Sequence, residues 1–199
     1  MRFLSVVCCV LLVGCTGDAQ SPSDEGKTET KGTAQDASST EEAVSLETRD
    51  WGALQKLIVS HRGKVVVVDF WSTSCDPCMR EFPHLVDLHR EYREKDVVCI
   101  SVNIDYYGSK SDPPESFRED ALEFLTEKHS TLTNILSSTD SDTIYEELEA
   151  AGIPVIQVYS ADGALAKQFA DDPDLYGEEG ISYAKHVVPF VQSLLPAGS

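Results

Sequence analysis

The sequence predicts a single α/β domain built around a sheet that contains parallel strands. Two short apolar runs rich in Val, VVVVDF (residues 65–70) and VVCISVNI (residues 97–104), have the composition of strands buried on both faces. Between them, residues 82–95 carry apolar side chains at helical spacing. A strand, a helix and a second strand in this order predict parallel pairing through a right-handed crossover.

The other elements alternate between helix and strand up to residue 195. Residues 51–63 predict an amphipathic helix with Thr48 or Asp50 as its N-cap. Residues 155–160 and 164–170 flank an Asp-Gly turn and predict a β-hairpin. Helical spacing predicts three further helices, over residues 115–129, 141–152 and 181–195.

Residues 1–14 have the features of a secretory signal peptide. Arg2 gives a short positive start, and the apolar run that follows is about half as long as the roughly 20 residues that span a bilayer. The run ends in Leu-Val-Gly-Cys, which resembles the lipobox of bacterial lipoproteins. That resemblance implies that the signal is removed and that Cys15 becomes the lipidated N-terminus. The alternative is an ordinary secretory signal with a chance cysteine at its end.

The next segment, residues 15–47, consists of Cys15 followed by small, polar and acidic residues with almost no large apolar side chain. Such a segment buries too little apolar surface to offset the entropy lost on ordering. We therefore expect a disordered acidic tether that links the lipid to a folded domain over residues 48–199.

Three cysteines remain after the predicted cleavage and lipidation: Cys75, Cys78 and Cys99. Cys99 lies in an apolar run, which is typical of a buried core thiol. A structural zinc site needs about four ligands, and there is no second CxxC. His84 and His89 are five residues apart on one predicted helix, about 140° around it, so they do not share a face. We expect no metal site.

The Cys75–Cys78 pair is expected to exchange disulfides. A cysteine that opens a helix after a buried strand has its sulfur near free N–H groups and the positive end of the helix dipole, which favours the thiolate. Cys75 is therefore the predicted nucleophile, and Cys78, one turn deeper, is the predicted resolving thiol. Pro77 fixes the backbone at the helix start, and the charge of Asp76 favours a more reducing pair. The disulfide itself is the redox group, and no other cofactor is expected.

The string VVVVDFWSTSCDPCMREFP (residues 65–83) resembles the active-site segment of thioredoxins. Residues 152–154 (Gly-Ile-Pro), placed before a strand, resemble their cis-proline region. With the lipid-anchoring signal and a helix-containing insertion over residues 106–136, the chain most resembles the TlpA/ResA-type membrane-anchored thiol-disulfide oxidoreductases. This implies a thioredoxin fold, a central mixed β-sheet flanked by helices. One departure is Ser74, since the family commonly has Trp directly before the first cysteine.

The resemblance also implies roles for two acids. Asp69 occupies the position of a buried acid beneath the second cysteine, where it would take the proton of Cys78, and burial should raise its pKa. The alternative is an aspartate that caps the turn after the strand. Glu81 matches a glutamate that recurs in the group, where it tunes the cysteine pair; its alternative role is compensation of the helix dipole.

The predicted substrate-binding residues lie around the two cysteines. The resemblance places Pro154 in a cis peptide opposite the cysteines, with Ile153 offering backbone hydrogen bonds to an extended substrate. Trp71 is expected to fill the core and shield the sulfurs. Asp76 and Pro77 complete the set.

The charge of the chain limits its partners. The formal net charge is −18, so nucleic acid is not an expected partner. The expected substrates are protein disulfides. In the proteins that the chain resembles, these substrates are a cytochrome c precursor or a copper-site assembly protein. The expected electron source is a membrane protein. The lipid would hold the chain at a membrane on its extracytoplasmic, periplasmic side.

Three rival functions share the scaffold. A peroxiredoxin-like peroxidase needs Pro-x-x-x-Thr/Ser-x-x-Cys; Ser72 fits that pattern, but Val68 stands at the Pro position. A Sco-type copper chaperone has three residues between its cysteines, where this chain has two. A binding or adaptor lipoprotein could keep the fold around an inert disulfide, because fold alone does not establish function.

Overall fold

The computed structural model describes residues 43–196. The predicted signal peptide, Cys15 and nearly all of the predicted tether lie outside these residues. The strands are β1 (Glu47–Arg49), β2 (Val65–Trp71), β3 (Val97–Asn103), β4 (Thr133–Ser137), β5 (Val155–Tyr159) and β6 (Leu165–Ala170). The α-helices are α1 (Trp51–Ser60), α2 (Asp76–Tyr92), α3 (Arg118–Glu127), α4 (Ser141–Leu148), α5 (Pro173–Tyr176) and α6 (Val188–Leu194).

The six strands form one mixed sheet in the order β1-β4-β3-β2-β5-β6. The pairs β1–β4, β4–β3 and β3–β2 are parallel. The pairs β2–β5 and β5–β6 are antiparallel. The predicted mixed sheet flanked by helices is confirmed, and it includes both the parallel crossover from β2 through α2 to β3 and the C-terminal hairpin.

Strand β2 lies near the middle of the sheet and is buried along its whole length. Because side chains alternate between the two faces of a strand, Val67 and Trp71 pack into one core while Val66 and Phe70 pack into the other. Burial on both faces is the reason that this segment is almost continuously apolar. Its one charged residue, Asp69, is 4% exposed.

The helices cover both faces of the sheet. On one face, Leu54 and Ile58 of α1 pack with Ile144 and Leu148 of α4. On the other face, residues of α2, α3 and the C-terminal segment share the second core. The Asp50 side chain caps α1 by accepting a hydrogen bond from the Ala53 N–H at 2.7 Å, as one of the two predicted caps.

Two strands were not predicted. Strand β4 (Thr133–Ser137) lies at the end of the expected insertion, and a 3₁₀ turn at Pro114–Phe117 and α3 precede it. The polar Asn134 obscures the apolar pattern of β4. In the structure its side chain is buried and accepts hydrogen bonds from the hydroxyls of Ser101 and Ser130, both at 2.8 Å.

The second unpredicted strand, β1, lies at the N-terminal edge of the described residues. Leu46 is buried in the core, and the Ser45 carbonyl accepts a hydrogen bond from Asn134 Nδ2 at 3.0 Å. Residues 45–47, at the end of the predicted tether, therefore pack with the domain. Three residues are too short a stretch for alternation to reveal a strand.

The C-terminal segment differs from the continuous helix predicted over residues 181–195. A π-helical turn, Tyr183–Val187, precedes α6. Pro189 lies at the start of α6 and has no N–H to donate back along the helix, which accounts for the change of helix type at this point. Within residues 43–196, no helix is both long and apolar enough to cross a bilayer.

Candidate active site

The Cys75–Cys78 pair lies at the start of helix α2, directly after the central strand β2 and a short loop. Strand β2 ends at Trp71, three residues form a loop, and Cys75 is the N-cap of α2. The two cysteines form a disulfide, with Cα atoms 5.2 Å apart. Cys75 is partly exposed and Cys78 is 4% exposed. An incoming thiol or disulfide therefore reaches Cys75 first.

The start of α2 places polar backbone groups against the Cys75 sulfur. The Cys78 N–H donates a hydrogen bond to Cys75 Sγ at 3.2 Å. This is one of the N–H groups that a helix leaves without an internal partner, and it stabilises a thiolate at the same position in the reduced protein. Pro77 occupies the first turn, and Asp76 is exposed beside the sulfur.

Residues 153 and 154 approach the disulfide from the start of β5. The Ile153–Pro154 peptide is cis, as the resemblance implied. Cys75 Sγ lies 3.9 Å from the carbonyl oxygen of Ile153. Ile153 is partly exposed and Pro154 is buried, so Ile153 is the residue of this peptide that meets solvent next to the more exposed sulfur.

A groove of about 530 Å³ opens beside Cys75. Cys75, Asp76, Pro77 and Ile153 line one part of it. The remaining lining residues come from the loop after β2, the end of β3 and the start of α4: Ser72, Ser74, Ile104, Asp105, Ser141 and Tyr145. The groove is thus mainly polar around a reactive sulfur, and Ser74 contributes a small side chain to it.

Asp105, which the sequence did not single out, fastens the loop before Cys75. Its carboxylate accepts a hydrogen bond from the Ser72 hydroxyl, and the Thr73 hydroxyl donates to it at 2.9 Å. The Thr73 N–H contacts both carboxylate oxygens, at 3.1 and 3.3 Å. Asn103 Nδ2 donates to it at 2.7 Å. One side chain after β3 therefore fixes the segment that leads to Cys75.

Asp69 is buried on the face of β2 that also bears Val67 and Trp71, which share their core with Cys78. Burial raises the pKa of Asp69 to about 7 from an ordinary value of 3.8, a hydrogen bond from Tyr183 lowers it, and the charge of Glu81 raises it. The Tyr183 hydroxyl donates to Oδ2 at 2.5 Å. The other oxygen, Oδ1, is buried without a hydrogen-bond partner in the described part of the chain. A carboxyl in this state can take or give a proton near neutral pH.

Glu81 lies one turn beyond Cys78 on α2 and is partly buried. Its Oε2 accepts a hydrogen bond from the Tyr183 N–H at 2.9 Å. This side chain therefore caps the C-terminal π-helical turn while its charge acts on Asp69. The structure brings both predicted acids to Tyr183, a residue that the sequence analysis did not single out.

Trp71 lies in the core, with no exposed surface. Its ring packs against Phe82 and Phe124, with ring centroids 5.2 and 5.1 Å away. The expected core role is observed. The side chain as it stands offers no surface to a substrate, because α2 and α3 cover it.

Cys99 is the free cysteine of the described residues, and it is buried. Burial and the nearby charge of Asp69 raise the pKa of its thiol well above the ordinary value. Such a thiol is unreactive at neutral pH, in agreement with the expected core position. Within residues 43–196, no cluster of three or more His, Cys, Asp or Glu side chains is arranged to hold a metal ion.

Asp105 and Tyr183 are the site residues that the sequence analysis missed. Asp105 follows an apolar run directly, and a polar residue at the carboxyl end of a buried strand is a usable signal, because that edge holds the active site in open α/β sheets. Tyr183 carries no such signal, because its contact with Asp69 spans 114 residues.

The structure combines a thioredoxin-like fold with a CxxC disulfide at the start of a helix. Residues 41–132 match the AhpC/TSA family. A thiol:disulfide interchange protein of the thioredoxin family from Chlorobium tepidum has a similar structure, with a TM-score of 0.51 and 16% identity over 69% of this chain and 84% of that one. At this identity the likeness concerns the fold, and it confirms the thioredoxin fold.

Curated relatives resemble a shorter part of the chain. The thiol-disulfide oxidoreductase ResA of Oceanobacillus iheyensis is 49% identical over 43 residues, which are 22% of this chain and 22% of that protein. ResA of Halalkalibacterium halodurans is 51% identical over 41 residues, 21% of this chain and 23% of that protein. The match thus spans about a fifth of the length of these relatives, and it confirms the resemblance to ResA-type proteins.

Proposed function

We propose that this chain is an extracytoplasmic thiol-disulfide oxidoreductase that reduces protein disulfides through Cys75 and Cys78. The observation that carries the proposal is the position of the two sulfurs. Cys75 faces a groove and accepts an N–H from the helix start, whereas Cys78 is buried behind it. The Cys75 sulfur is therefore placed to react with a substrate, and the Cys78 sulfur is placed to react with Cys75.

The reaction transfers two electrons from the dithiol to a substrate disulfide. The Cys75 thiolate attacks one substrate sulfur, and the other leaves as a thiolate. Cys78 then loses its proton to Asp69 and attacks Cys75 Sγ, which breaks the mixed disulfide and closes Cys75–Cys78. The second substrate sulfur leaves as a thiolate and is protonated. Burial is the main cause of the high proton affinity of Asp69, and the charge of Glu81 raises it further.

Substrate binding is assigned to the groove around Cys75. The Ile153 main chain lies next to the reactive sulfur, so an extended substrate segment can pair with it while its sulfur faces Cys75. Pro154 holds this segment in place, and Asp76 and Pro77 border the groove. Trp71 supports the site from beneath, by packing in the core.

The proposed location is the extracytoplasmic face of a membrane, with lipid on Cys15 after removal of residues 1–14. Substrates of the proposed kind are a cytochrome c precursor or a copper-site assembly protein, and a membrane protein would return electrons to the disulfide. The lipobox-like sequence and the likeness to ResA proteins support this assignment. Radiolabelled palmitate on the wild type but not on Cys15→Ser tests the anchor.

Turnover of a protein disulfide tests the activity. With a chemical thiol as electron source, the wild type should reduce the substrate and Cys75→Ser should lose all activity. Cys78→Ser should accumulate a mixed disulfide, because the first attack still occurs. Cys99→Ala is the matched control, since it removes a buried thiol outside the pair and should retain turnover. Turnover that survives Cys75→Ser contradicts the proposal, and binding without turnover by the wild type favours the adaptor.

The direction of electron flow is tested by the reduction potential of Cys75–Cys78. A value near the roughly −270 mV of thioredoxin agrees with a reductant, and one near the roughly −120 mV of DsbA indicates a disulfide donor. A peroxidase has less support from the site, because the Ser72 hydroxyl donates to Asp105.

A further inference from the structure

Tyr183 joins the two acids of the predicted catalytic set. Its hydroxyl donates to Asp69 Oδ2 at 2.5 Å, and its main-chain N–H donates to Glu81 Oε2 at 2.9 Å. One hydrogen bond is thus donated by the side chain and the other by the backbone of the same fully buried residue. A single residue therefore sets the positions of both carboxylates.

We propose that Tyr183 is a positioning residue for the proton acceptor Asp69 and that it couples Asp69 to Glu81. This inference rests on the proposed thiol-disulfide exchange, because it concerns the proton step of that reaction. Tyr183 does not touch the reacting sulfurs in this assignment. It acts through Asp69.

The backbone around Tyr183 holds the hydroxyl in one place. Tyr183 begins the π-helical turn, and the Ser182 side chain caps that turn by accepting the Lys185 N–H at 3.4 Å. The Ser182 N–H in turn donates to His186 Nδ1 at 3.0 Å. Glu81 fastens the same turn to α2. The phenol is thus fixed by main-chain contacts that do not depend on its own hydroxyl.

The hydrogen bond from Tyr183 makes the two carboxylate oxygens of Asp69 different from each other. Oδ2 accepts the phenol, and Oδ1 has no partner among residues 43–196. Oδ1 is therefore the oxygen open to a proton from Cys78. The proton moves from the Cys78 sulfur to the Asp69 carboxylate, and the resulting Cys78 thiolate displaces the substrate sulfur from Cys75.

Three titratable groups from three elements surround Asp69. The Tyr183 hydroxyl donates to Asp69 from the C-terminal turn, and the charge of Glu81 acts on it from α2. The charge of Asp69 in turn acts on the Cys99 thiol of β3. The phenol hydrogen bond stabilises the charged carboxylate, whereas the charge of Glu81 opposes it. Loss of the hydroxyl should therefore let Asp69 keep its proton to higher pH. The Cys78 step should then need a higher pH as well.

The experiment uses the reduced full chain and one equivalent of an aromatic disulfide whose thiol product is coloured. The first product reports attack by Cys75, and the second reports closure by Cys78. In Tyr183→Phe, the pH midpoint of the second phase should rise by about one unit, because a hydrogen bond to a charged group is lost. The first phase should be unchanged, since the Tyr183 hydroxyl donates to Asp69 and not to Cys75.

Tyr92→Phe is the matched control. Tyr92 is also buried, and its hydroxyl accepts a hydrogen bond from Gln192 of α6 at 2.6 Å. Its removal loosens the C-terminal helix without touching Asp69, so both phases should keep their wild-type pH midpoints. An unchanged second-phase midpoint in folded Tyr183→Phe overturns the inference. Absence of product from the wild type instead overturns the proposed function.

If Tyr183→Phe does not fold, a measurement on the oxidised wild type tests the inference instead. The Tyr183 hydroxyl proton should give a downfield resonance in the NMR spectrum, as a proton held between two oxygens does. It should shift with pH at the same midpoint as the Asp69 carboxyl carbon. Two separate midpoints, or a hydroxyl resonance that ignores pH, would show that the residues are not coupled.

Discussion

At the scale of single residues, two aspartates near the disulfide have opposite environments and therefore opposite uses. Among residues 43–196, buried Asp69 has one hydrogen-bond donor on Oδ2 and no partner on Oδ1. Asp105 accepts from Ser72, Thr73 and Asn103 and lies at the groove. Burial raises the pKa of Asp69, whereas the donors around Asp105 make its carboxyl an attachment point for the chain. The different surroundings of Asp69 and Asp105, and not their residue type, therefore give them different roles.

Asp69→Asn should change how stability depends on pH. In the oxidised wild type the folded Asp69 has a pKa of about 7, against an ordinary value of 3.8. Between these values the folded chain binds more protons than the unfolded chain, so its free energy of unfolding falls as pH rises. Asn does not titrate, so the free energy of unfolding of the Asp69→Asn variant does not fall for this reason.

The variant should therefore match the wild type near pH 4 and exceed it at pH 8, by on the order of 4 kcal/mol if the full shift is expressed. Urea unfolding at several pH values measures the difference. Asp87→Asn is the control, because Asp87 is exposed on α2 and should leave the pH profile unaltered. Equal profiles for Asp69→Asn and wild type would contradict the burial argument.

Asp76→Asn should make the disulfide less reducing. The Asp76 carboxylate is exposed in the first turn of α2, next to the sulfur whose thiolate the helix start stabilises. Removing a charge at this position changes the thiolate energy by about 0.3–1 kcal/mol, which corresponds to a rise of roughly 6–20 mV. Equilibration with thiol buffers measures it, again with Asp87→Asn as control. A fall in potential would reverse the assigned sign.

At the scale of elements, the reactive unit is a strand, a short loop and a helix held by a neighbouring strand. β2 is fixed because it is buried on both faces, and α2 is fixed because Phe82 and Leu85 pack in the core. The loop between them has little apolar surface of its own. Asp105, just beyond β3, supplies its attachment through hydrogen bonds.

Asp105→Asn should destabilise this loop. An amide N–H₂ would face the donors that now meet a carboxylate oxygen, at a cost of about 1–3 kcal/mol. Urea unfolding measures the loss, and the rate of Cys75 attack should fall as well. Asp112→Asn is a matched control, because Asp112 also collects hydroxyl donors, from Tyr107, Ser109 and Ser111, but in an exposed loop. Equal losses in both variants would argue against a special role for Asp105.

At the scale of the whole molecule, sheet order assembles the site from distant segments. β2 pairs with β3 on one side and β5 on the other. This brings Asp105 and Ile153 to the end of β2 where Cys75 lies. The chain also carries a net charge of −18, so its long-range field favours basic partners.

Reduction of a basic protein disulfide should therefore slow as salt is added. Raising ionic strength from about 0.01 to 0.15 M shortens the Debye length from roughly 30 to 8 Å, and the second-order rate should fall several-fold. An uncharged small disulfide should react at a salt-independent rate. If the basic protein behaves like the uncharged one, steering by the net charge plays no part.

Local sequence predicted much of the fold because the signals are local. Burial on both faces of β2 leaves a run of valines, and the cap at Asp50 is three residues from the N–H that it accepts. The predictions failed where long-range contacts replaced local pattern. β4 contains Asn134, whose polarity is satisfied by Ser101 and Ser130, and β1 is too short to show alternation.

The sequence by itself determined the reactive pair and the order of elements around it. The CxxC spacing, the strand before it and the helix after it are local properties, since they depend on residues within a few turns. The tertiary structure decided which distant side chains contact the site residues. Tyr183 meets Asp69 across 114 residues, and Asp105 meets Thr73 across 32. These contacts exist only after sheet formation, because no local pattern specifies which distant side chain fills a given position.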